Sequence, residues 1–148
     1  MAQIEPSYET TETANETDIE AVDAGLHLHN LHAAGLGAVR PLFCFARDAS
    51  GALIGGARAR RWGTAWEVQQ RWVDPRHRRR GIAAERLRRI EHAARSAGGT
   101  LIYLDTFSFQ APALYVRCGY EVACRLEGFP DGVVKYVMPC RLQPAVVR

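Results

Sequence analysis

The sequence predicts an α/β or α+β domain with a mixed sheet. The predicted order of elements is helix, hairpin, strand, long helix, strand, short helix and two strands. Strands are indicated by extended apolar runs between turn residues, and helices by apolar residues that recur about every 3.6 positions. Helices interleaved with strands in this way are typical of the α/β and α+β classes.

The bulk composition is that of one globular domain. The chain has 148 residues, of which 47% are hydrophobic, and this is enough for one core. It has no apolar run of the roughly twenty residues that span a membrane and no secretion signal, so we expect a cytoplasmic protein. The cysteines lack C-x-x-C spacing and are expected to be reduced thiols. They are Cys44, Cys118, Cys124 and Cys140.

Charge is distributed unevenly along the chain. Residues 1–24 contain seven of the 16 acidic residues and none of the 19 basic ones. The first 17 residues are rich in Thr and Glu, and we expect them to form a flexible acidic tail. The remaining chain is strongly basic, which predicts an anionic partner such as a nucleic acid, a phosphorylated cofactor or an acidic protein surface.

A helix is predicted from about Asp18 to the glycines Gly35 and Gly37. It contains three histidines, but no acidic or thiol ligand accompanies them at the spacing of a metal motif, so no metal is expected. We interpret the histidines as a polar helix edge that borders a binding site. They are His27, His29 and His32.

The other elements follow from alternation, turn residues and helical periodicity. The glycine pair Gly55-Gly56 indicates a bulge or a close approach of backbones. The continuous apolar run Leu101–Leu104 is predicted to be a strand covered on both faces. The predicted strands are Pro41–Ala46, Ala52–Arg60, Ala65–Val73, Leu101–Leu104, Tyr120–Leu126 and Val133–Met138, and the helices run from Ile82 to about Ala97 and from Pro112 to Gly119.

An anion-binding junction is predicted where the third strand meets the long helix. Asp74-Pro75 breaks the strand, and Gly81 permits a tight turn before the helix. The first N–H groups of a helix have no intrahelical partner and attract anions. A glycine turn before a helix favours a compact diphosphate over a nucleic-acid backbone. Nearby arginines strengthen the positive potential: Arg76, Arg78, Arg79 and Arg80 at the junction, and Arg86, Arg88 and Arg89 as an extension of the basic surface.

Two segments carry a resemblance to a known family. Arg78-x-x-Gly81-x-Ala83 is similar to the acyl-CoA signature Q/R-x-x-G-x-G/A of the GNAT superfamily of N-acetyltransferases. The segment from Leu104 to Tyr120 resembles the end of the same domain, where a strand leads into a short helix that carries a tyrosine. The resemblance covers about residues 18–142, leaves a short tail at 143–148, and is closest to a small bacterial group with an L-D-T-F-S-F-Q-A-P segment.

The resemblance implies a mixed, mostly antiparallel central sheet that is flanked by helices and splayed at an acetyl-CoA site. It places Tyr115 near the thioester sulfur as a catalytic residue. Backbone amides at the junction would hold the pyrophosphate, and the strand before it would pair with the pantetheine arm. The implied cofactor-binding residues are Arg71, Trp72, Val73, Arg78, Arg79, Arg80, Gly81, Ile82, Ala83, Ala84 and Ser108.

Acetyl transfer also requires a neutral acceptor amine, so a base or a water relay is useful. Gln69 occupies the position at which relatives have an acid. Glu67, two residues earlier on the same strand face, is the best substitute base, and the histidines of the first helix or a water chain are the alternatives. The predicted acceptor-binding residues are His29, Glu67, Gln69, Phe129 and Asp131.

The leading hypothesis is therefore an acetyl-CoA-dependent N-acetyltransferase that acts on the primary amine of a small molecule by direct attack. A non-catalytic acyl-CoA-binding sensor or interaction domain is the alternative hypothesis, and a nucleic-acid-binding module is the third and less favoured one. Edge strands such as Val133–Met138 could pair into a homodimer.

Overall fold

A computed structural model of the protein describes residues 5–33 and 39–143. The contacts between Cα atoms divide the chain into two units, residues 1–37 and residues 38–148. The first unit contains helix α1 (Glu16–His32), and the second contains the sheet and the other helices.

Helix α1 begins two residues before the predicted start at Asp18. Asn15 caps it, because its Oδ1 accepts a hydrogen bond of 2.8 Å from the N–H of Asp18. The last helical residue is His32. The predicted end at Gly35 and Gly37 lies outside the described residues.

The second unit is built on one six-stranded sheet with the strand order β1-β2-β3-β4-β6-β5. Among the strands of the described residues only β3 and β4 pair in parallel, so the predicted mixed, mostly antiparallel sheet is confirmed. The strands are β1 (Val39–Arg47), β2 (Leu53–Trp62), β3 (Ala65–Val73), β4 (Leu101–Phe107), β5 (Cys124–Leu126) and β6 (Lys135–Arg141), and the helices are α2 (Ile82–Ser96) and α3 (Pro112–Arg117).

Strand β5 is shorter than the predicted run from Tyr120. The N–H of Tyr120 donates to the carbonyl of Tyr115 and so closes the end of α3 instead of joining the sheet. Its hydroxyl donates to Glu91 on α2 at 3.0 Å, and burial together with that carboxylate raises the pKa of Tyr120. Tyr120 thus joins α3 to α2 and remains a protonated donor.

The core lies between α2 and one face of the sheet. Side chains of α2 such as Leu87, Ile90 and Ala94 pack there and are almost completely buried. Burial on β4 alternates: Ile102, Leu104 and Thr106 are buried, whereas the residues between them are half-buried or exposed. The prediction that Leu101–Leu104 is covered on both faces is therefore wrong, because α2 packs only on the face with the alternate residues.

A β-bulge in β3 changes which face its last residues occupy. Val68 lies opposite Ala59 and Arg71 lies opposite Ala57, so the two residues between them on β3 face the single residue Arg58. A perfect alternation would put Trp72 on the face of Val68. That expectation is wrong beyond the bulge, because Arg71 takes the core side and Trp72, 48% exposed, takes the other.

The same bulge turns β3 away from β4. The parallel pairing joins only residues 65–68 to residues 101–104, although β3 continues to Val73 and β4 to Phe107. Past Val68 the two strands separate, and their facing backbone groups lack a partner strand. The predicted splay is observed at this position.

The junction between β3 and α2 is held by Asp74. Its Oδ1 accepts a hydrogen bond from the N–H of Arg76 at 2.9 Å, and its Oδ2 pairs with the Arg76 guanidinium at 2.7 Å. A short 3₁₀ helix follows at Pro75–His77. Arg79 and Gly81 then adopt left-handed backbone conformations with φ of 61° and 75°, and α2 begins immediately afterwards. The low energetic cost of this conformation for glycine explains the residue type at position 81.

Asp74 gives a prediction for stability at low pH. Hydrogen bonds from the Arg76 side chain and backbone lower the pKa of Asp74 to about 2. A lowered native pKa stabilises the fold above the ordinary value near 3.9, and this contribution disappears as the pH falls toward 2. Urea unfolding at several pH values should show that wild type exceeds Asp74→Asn in stability above about pH 4 and that the difference shrinks below it. A pH-independent difference would contradict the assignment, and Asp131→Asn controls for the loss of one exposed carboxylate.

Candidate active site

Two cavities meet where β3 separates from β4. One, of about 780 Å³, lies at the β3–α2 junction and is called the junction cavity here. The other, of about 670 Å³, is lined by β1 to β4 and is called the strand cavity. Three residues line both cavities: Arg71, Trp72 and Gln110. The splay therefore connects the two spaces.

The junction cavity offers a series of free amide groups. Within the described residues, no hydrogen bond is formed by the N–H groups of residues 78–84, and the first N–H of the region with a partner is that of Glu85, which donates to Gly81. These groups lie at the N-terminal end of α2, where the helix dipole adds positive potential. Nine of the eleven residues predicted to bind the cofactor line this cavity: Arg71, Trp72, Val73, Arg78, Arg79, Gly81, Ile82, Ala83 and Ala84.

Two predicted cofactor residues lie outside this lining. Arg80 points its guanidinium toward His77, with 3.5 Å between Nη1 and Nδ1. Ser108 is bound to Val134 twice, since its N–H donates to the Val134 carbonyl at 2.8 Å and its Oγ accepts from the Val134 N–H at 3.1 Å. Both assignments stay predictions.

A buried arginine also lines the junction cavity. Arg86 is only 5% exposed, and its guanidinium donates to the carbonyls of Gly56 at 2.9 Å and Trp72 at 3.0 Å. Burial lowers the pKa of Arg86 because it penalises the charged form. The prediction that Arg86 extends the outer basic surface is wrong. Its spacing of four residues from both Ile82 and Ile90 on the apolar stripe of α2 could have revealed its position.

Arg71 occupies the gap between β3 and β4. Its Nη1 donates to the carbonyls of Val68 at 2.8 Å and Gln69 at 3.0 Å, and its Nη2 donates to the carbonyl of Asp105 on β4. Its Nε donates to the hydroxyl of Tyr115 at 2.9 Å. The family resemblance implied a backbone role for Arg71, and in the structure its side chain also bridges the separated strands.

Tyr115 lies on α3 and lines the junction cavity. It is 5% exposed, and its ring packs edge to face against Tyr120 with 6.2 Å between centroids. Because its oxygen accepts the hydrogen bond from Arg71, its own O–H hydrogen is free to donate elsewhere. The geometry therefore holds a hydroxyl donor beside the point where the two cavities meet.

Four aromatic side chains contribute to the lining of the strand cavity. Phe43 and Phe45 stack with 6.0 Å between their centroids and 8° between their planes. Phe45 lies against Gly56, where a Cβ atom would approach its ring to 3.1 Å. Trp72 and Phe107 extend the aromatic lining. Its polar side chains are Arg58, Gln69, Gln70, Arg71, Asp105 and Gln110.

Other predicted catalytic or acceptor residues lie elsewhere. Glu67 lines neither cavity, and its carboxylate pairs with the Nε of Arg60 at 2.6 Å. Phe129 packs edge to face on Phe107 but does not itself line the strand cavity. Asp131 is exposed in a 3₁₀ helix, and His29 lies on α1 in the other unit.

Residues 5–33 and 39–143 lack three features: a metal-binding cluster, a membrane-spanning helix and a disulfide. Among these residues there is no group of three His, Cys, Asp or Glu side chains placed to hold a metal ion. No helix in this part of the chain has the length and apolar composition needed to cross a membrane. All four cysteines are free thiols.

Comparison with known proteins gives concordant matches. The sequence profile of the Acetyltransferase (GNAT) family matches residues 5–120. A blasticidin-S acetyltransferase from Streptomyces morookaense is 32% identical over 68 residues, which are 45% of this chain and 50% of that protein. The chain thus matches only half the length of this relative.

Solved structures share the fold. An acetyltransferase from Bacillus cereus aligns with a TM-score of 0.78 and 25% identity, over 90% of this chain and 98% of that one. A protein from Agrobacterium tumefaciens aligns with a TM-score of 0.84 and 24% identity, over 93% and 100%. An aminoglycoside 6'-N-acetyltransferase crystallised with coenzyme A aligns with a TM-score of 0.62 and 18% identity, over 90% and 84%.

The family profile spans more than half of the chain, and the fold agrees with it. The splayed sheet, the free amides before α2 and the buried tyrosine of α3 are consistent with the same assignment. The chain belongs to the GNAT family of acetyltransferases.

Proposed function

We propose that the protein is an acetyl-CoA-dependent N-acetyltransferase that acts on the primary amine of a small molecule in the cytoplasm. The observation that carries the proposal is the meeting of two cavities at the β3–β4 splay. One cavity offers free amides for a diphosphate, and the other has the volume of a small-molecule site. Acetyl transfer needs the cofactor and the amine at one point, and the opening between the two cavities at the splay supports this proposal.

The residues of the junction cavity fit coenzyme A. The free amides of residues 78–84 suit a diphosphate, and Arg78, Arg79 and Arg117 in the lining add positive potential. Unpaired β3 backbone beyond Val68 suits the amide-rich pantetheine arm. When bound there, acetyl-CoA supplies the acetyl group as an activated thioester.

Three features of the chain would assist the transfer. Unpaired β3 N–H groups past the bulge are oriented donors for the acetyl oxygen, where negative charge grows during attack. Tyr115 has a free O–H hydrogen for the departing sulfur, and Arg71 fixes the orientation of that hydroxyl. The amine attacks directly, which requires its neutral form at the splay.

Glu67 remains a predicted base. Its ion pair with Arg60 and its absence from both cavity linings give it no direct route to an amine in the strand cavity, so a water relay would be needed. Glu67→Gln tests this role. If Glu67 is the general base, the variant should lose about 10²-fold or more in kcat. An unchanged kcat would mean that Glu67 only forms the ion pair with Arg60 and is not the base.

The junction turn gives a prediction for cofactor binding. Gly81→Glu places a strained residue and a negative charge among the amides, so the Kd for coenzyme A measured by calorimetry should rise by about 100-fold or more. Gly51→Glu is the matched control, because Gly51 also has a positive φ of 85° and open space around it but lies in the β1–β2 turn. Equal loss of binding in both variants would contradict the proposed site.

The Arg71–Tyr115 pair gives a prediction for catalysis. Tyr115→Phe should lower kcat by about 10²-fold or more while the Kd for coenzyme A changes little. Arg71→Lys keeps the charge but cannot reproduce the forked contacts to β3, β4 and the tyrosine, so it should also lower kcat.

The double variant Arg71→Lys with Tyr115→Phe should be little worse than Tyr115→Phe alone, because the two residues act as one unit. Arg125→Lys controls for the substitution type, since Arg125 pairs with Glu127 away from both cavities. Fully additive losses would contradict the coupling. Binding of coenzyme A without release of free thiol on a broad amine panel would favour the acyl-CoA sensor instead.

A further inference from the structure

The lining of the strand cavity carries an inference about the acceptor. We propose that this cavity binds an amine whose molecule also has an aromatic ring and a carboxylate, and that Arg58 binds the carboxylate. The inference rests on the proposed function and specifies its substrate class. It differs from the acidic acceptor site that the sequence predicted at Phe129 and Asp131.

The first argument is the exposed aromatic surface. Phe43, Phe45 and Trp72 are 51%, 58% and 48% exposed, although they line one cavity from β1 and β3, the two strands that flank β2. Such a contiguous apolar surface is typical of a ligand-binding site. The parallel, stacked rings of Phe43 and Phe45 form an aromatic wall of the cavity, and Gly56 leaves the space in which the Phe45 ring lies. An exposed aromatic wall suits a ligand with an aromatic ring.

The second argument is the charge that remains available. Three charged residues line the cavity: Arg58, Arg71 and Asp105. Arg71 is committed to the strand carbonyls and Tyr115, and Asp105 pairs with Lys135 at 3.1 Å. Arg58 is exposed opposite Phe43 and has neither an ion pair nor a side-chain hydrogen bond with any described residue. The available charge is therefore positive and beside the aromatic wall.

The third argument joins this charge to the chemistry of the amine. A cavity with two guanidinium groups disfavours a further cation, so a simple ammonium ligand binds poorly there. A carboxylate on the same molecule gives Arg58 a bidentate partner and offsets that repulsion. The same positive potential favours the neutral amine that attacks the acetyl group. One arrangement thus serves both binding and activation.

The experiment compares four amines by release of free thiol and by calorimetry without cofactor. L-Phenylalanine has the ring, carboxylate and amine, L-phenylalaninamide and phenethylamine lack the carboxylate, and L-alanine lacks the ring. We expect kcat/KM and affinity for phenylalanine to exceed those for each of the others by about 10-fold or more. Arg58→Gln should lower kcat/KM and affinity for phenylalanine by about 10-fold or more and should not lower those for phenethylamine, because the variant also removes a repulsive charge.

Arg58→Glu should invert the preference toward phenethylamine and phenylalaninamide. Arg40→Gln is the matched control, because Arg40 is an exposed arginine on β1 outside both linings. Turnover of amines with no preference for the carboxylate, or a preference unaffected by Arg58→Gln, overturns the inference and leaves the proposed function intact. If phenylalanine binds in a way that depends on Arg58 but is not acetylated, the result supports the proposed ligand of the strand cavity and rejects the acetyltransferase proposal.

Discussion

The structure of the site depends on the interaction of one arginine with two separated strands. Parallel pairing of β3 and β4 ends at Val68, and backbone groups past that point would lack partners. The Arg71 guanidinium accommodates the break by donating to carbonyls on both strands. Its Nε donates to the hydroxyl of Tyr115 and orients it. The same contacts therefore stabilise the opening between the cavities and orient the hydroxyl beside it.

A second arginine completes the frame from the other side. Arg86 reaches from α2 to the carbonyls of Gly56 and Trp72, so the helix is bound to the strands at the level of the splay. Asp74 fixes the chain between β3 and α2. These polar contacts place the free amides of residues 78–84, the bulge and Tyr115 around one space. Positive charge is concentrated there, which suits an anionic cofactor in one cavity and an acid-bearing amine in the other.

Local patterns in the sequence predicted most of the secondary structure. β3 has the predicted bounds, Ala65–Val73, and α2 ends within one residue of its predicted end. The glycine turn before Ile82 was recognisable because only its backbone conformation and free amides matter. The faces beyond Val68 do not follow simple alternation, because a bulge shifts the alternation without a distinctive residue type.

The sequence by itself determined the family, the mixed sheet and the position of the glycine turn before α2, since these depend on periodicity, turn residues and motifs along the chain. The tertiary structure alone decided which side chains are free to act. Glu67 is engaged by Arg60, Arg71 and Arg86 bind carbonyls, and Arg58 remains uncommitted among the described residues. Whether a charged side chain is already bound within the protein depends on partners that are distant in sequence, such as Asp105 for Arg71. No local sequence pattern encodes such partners.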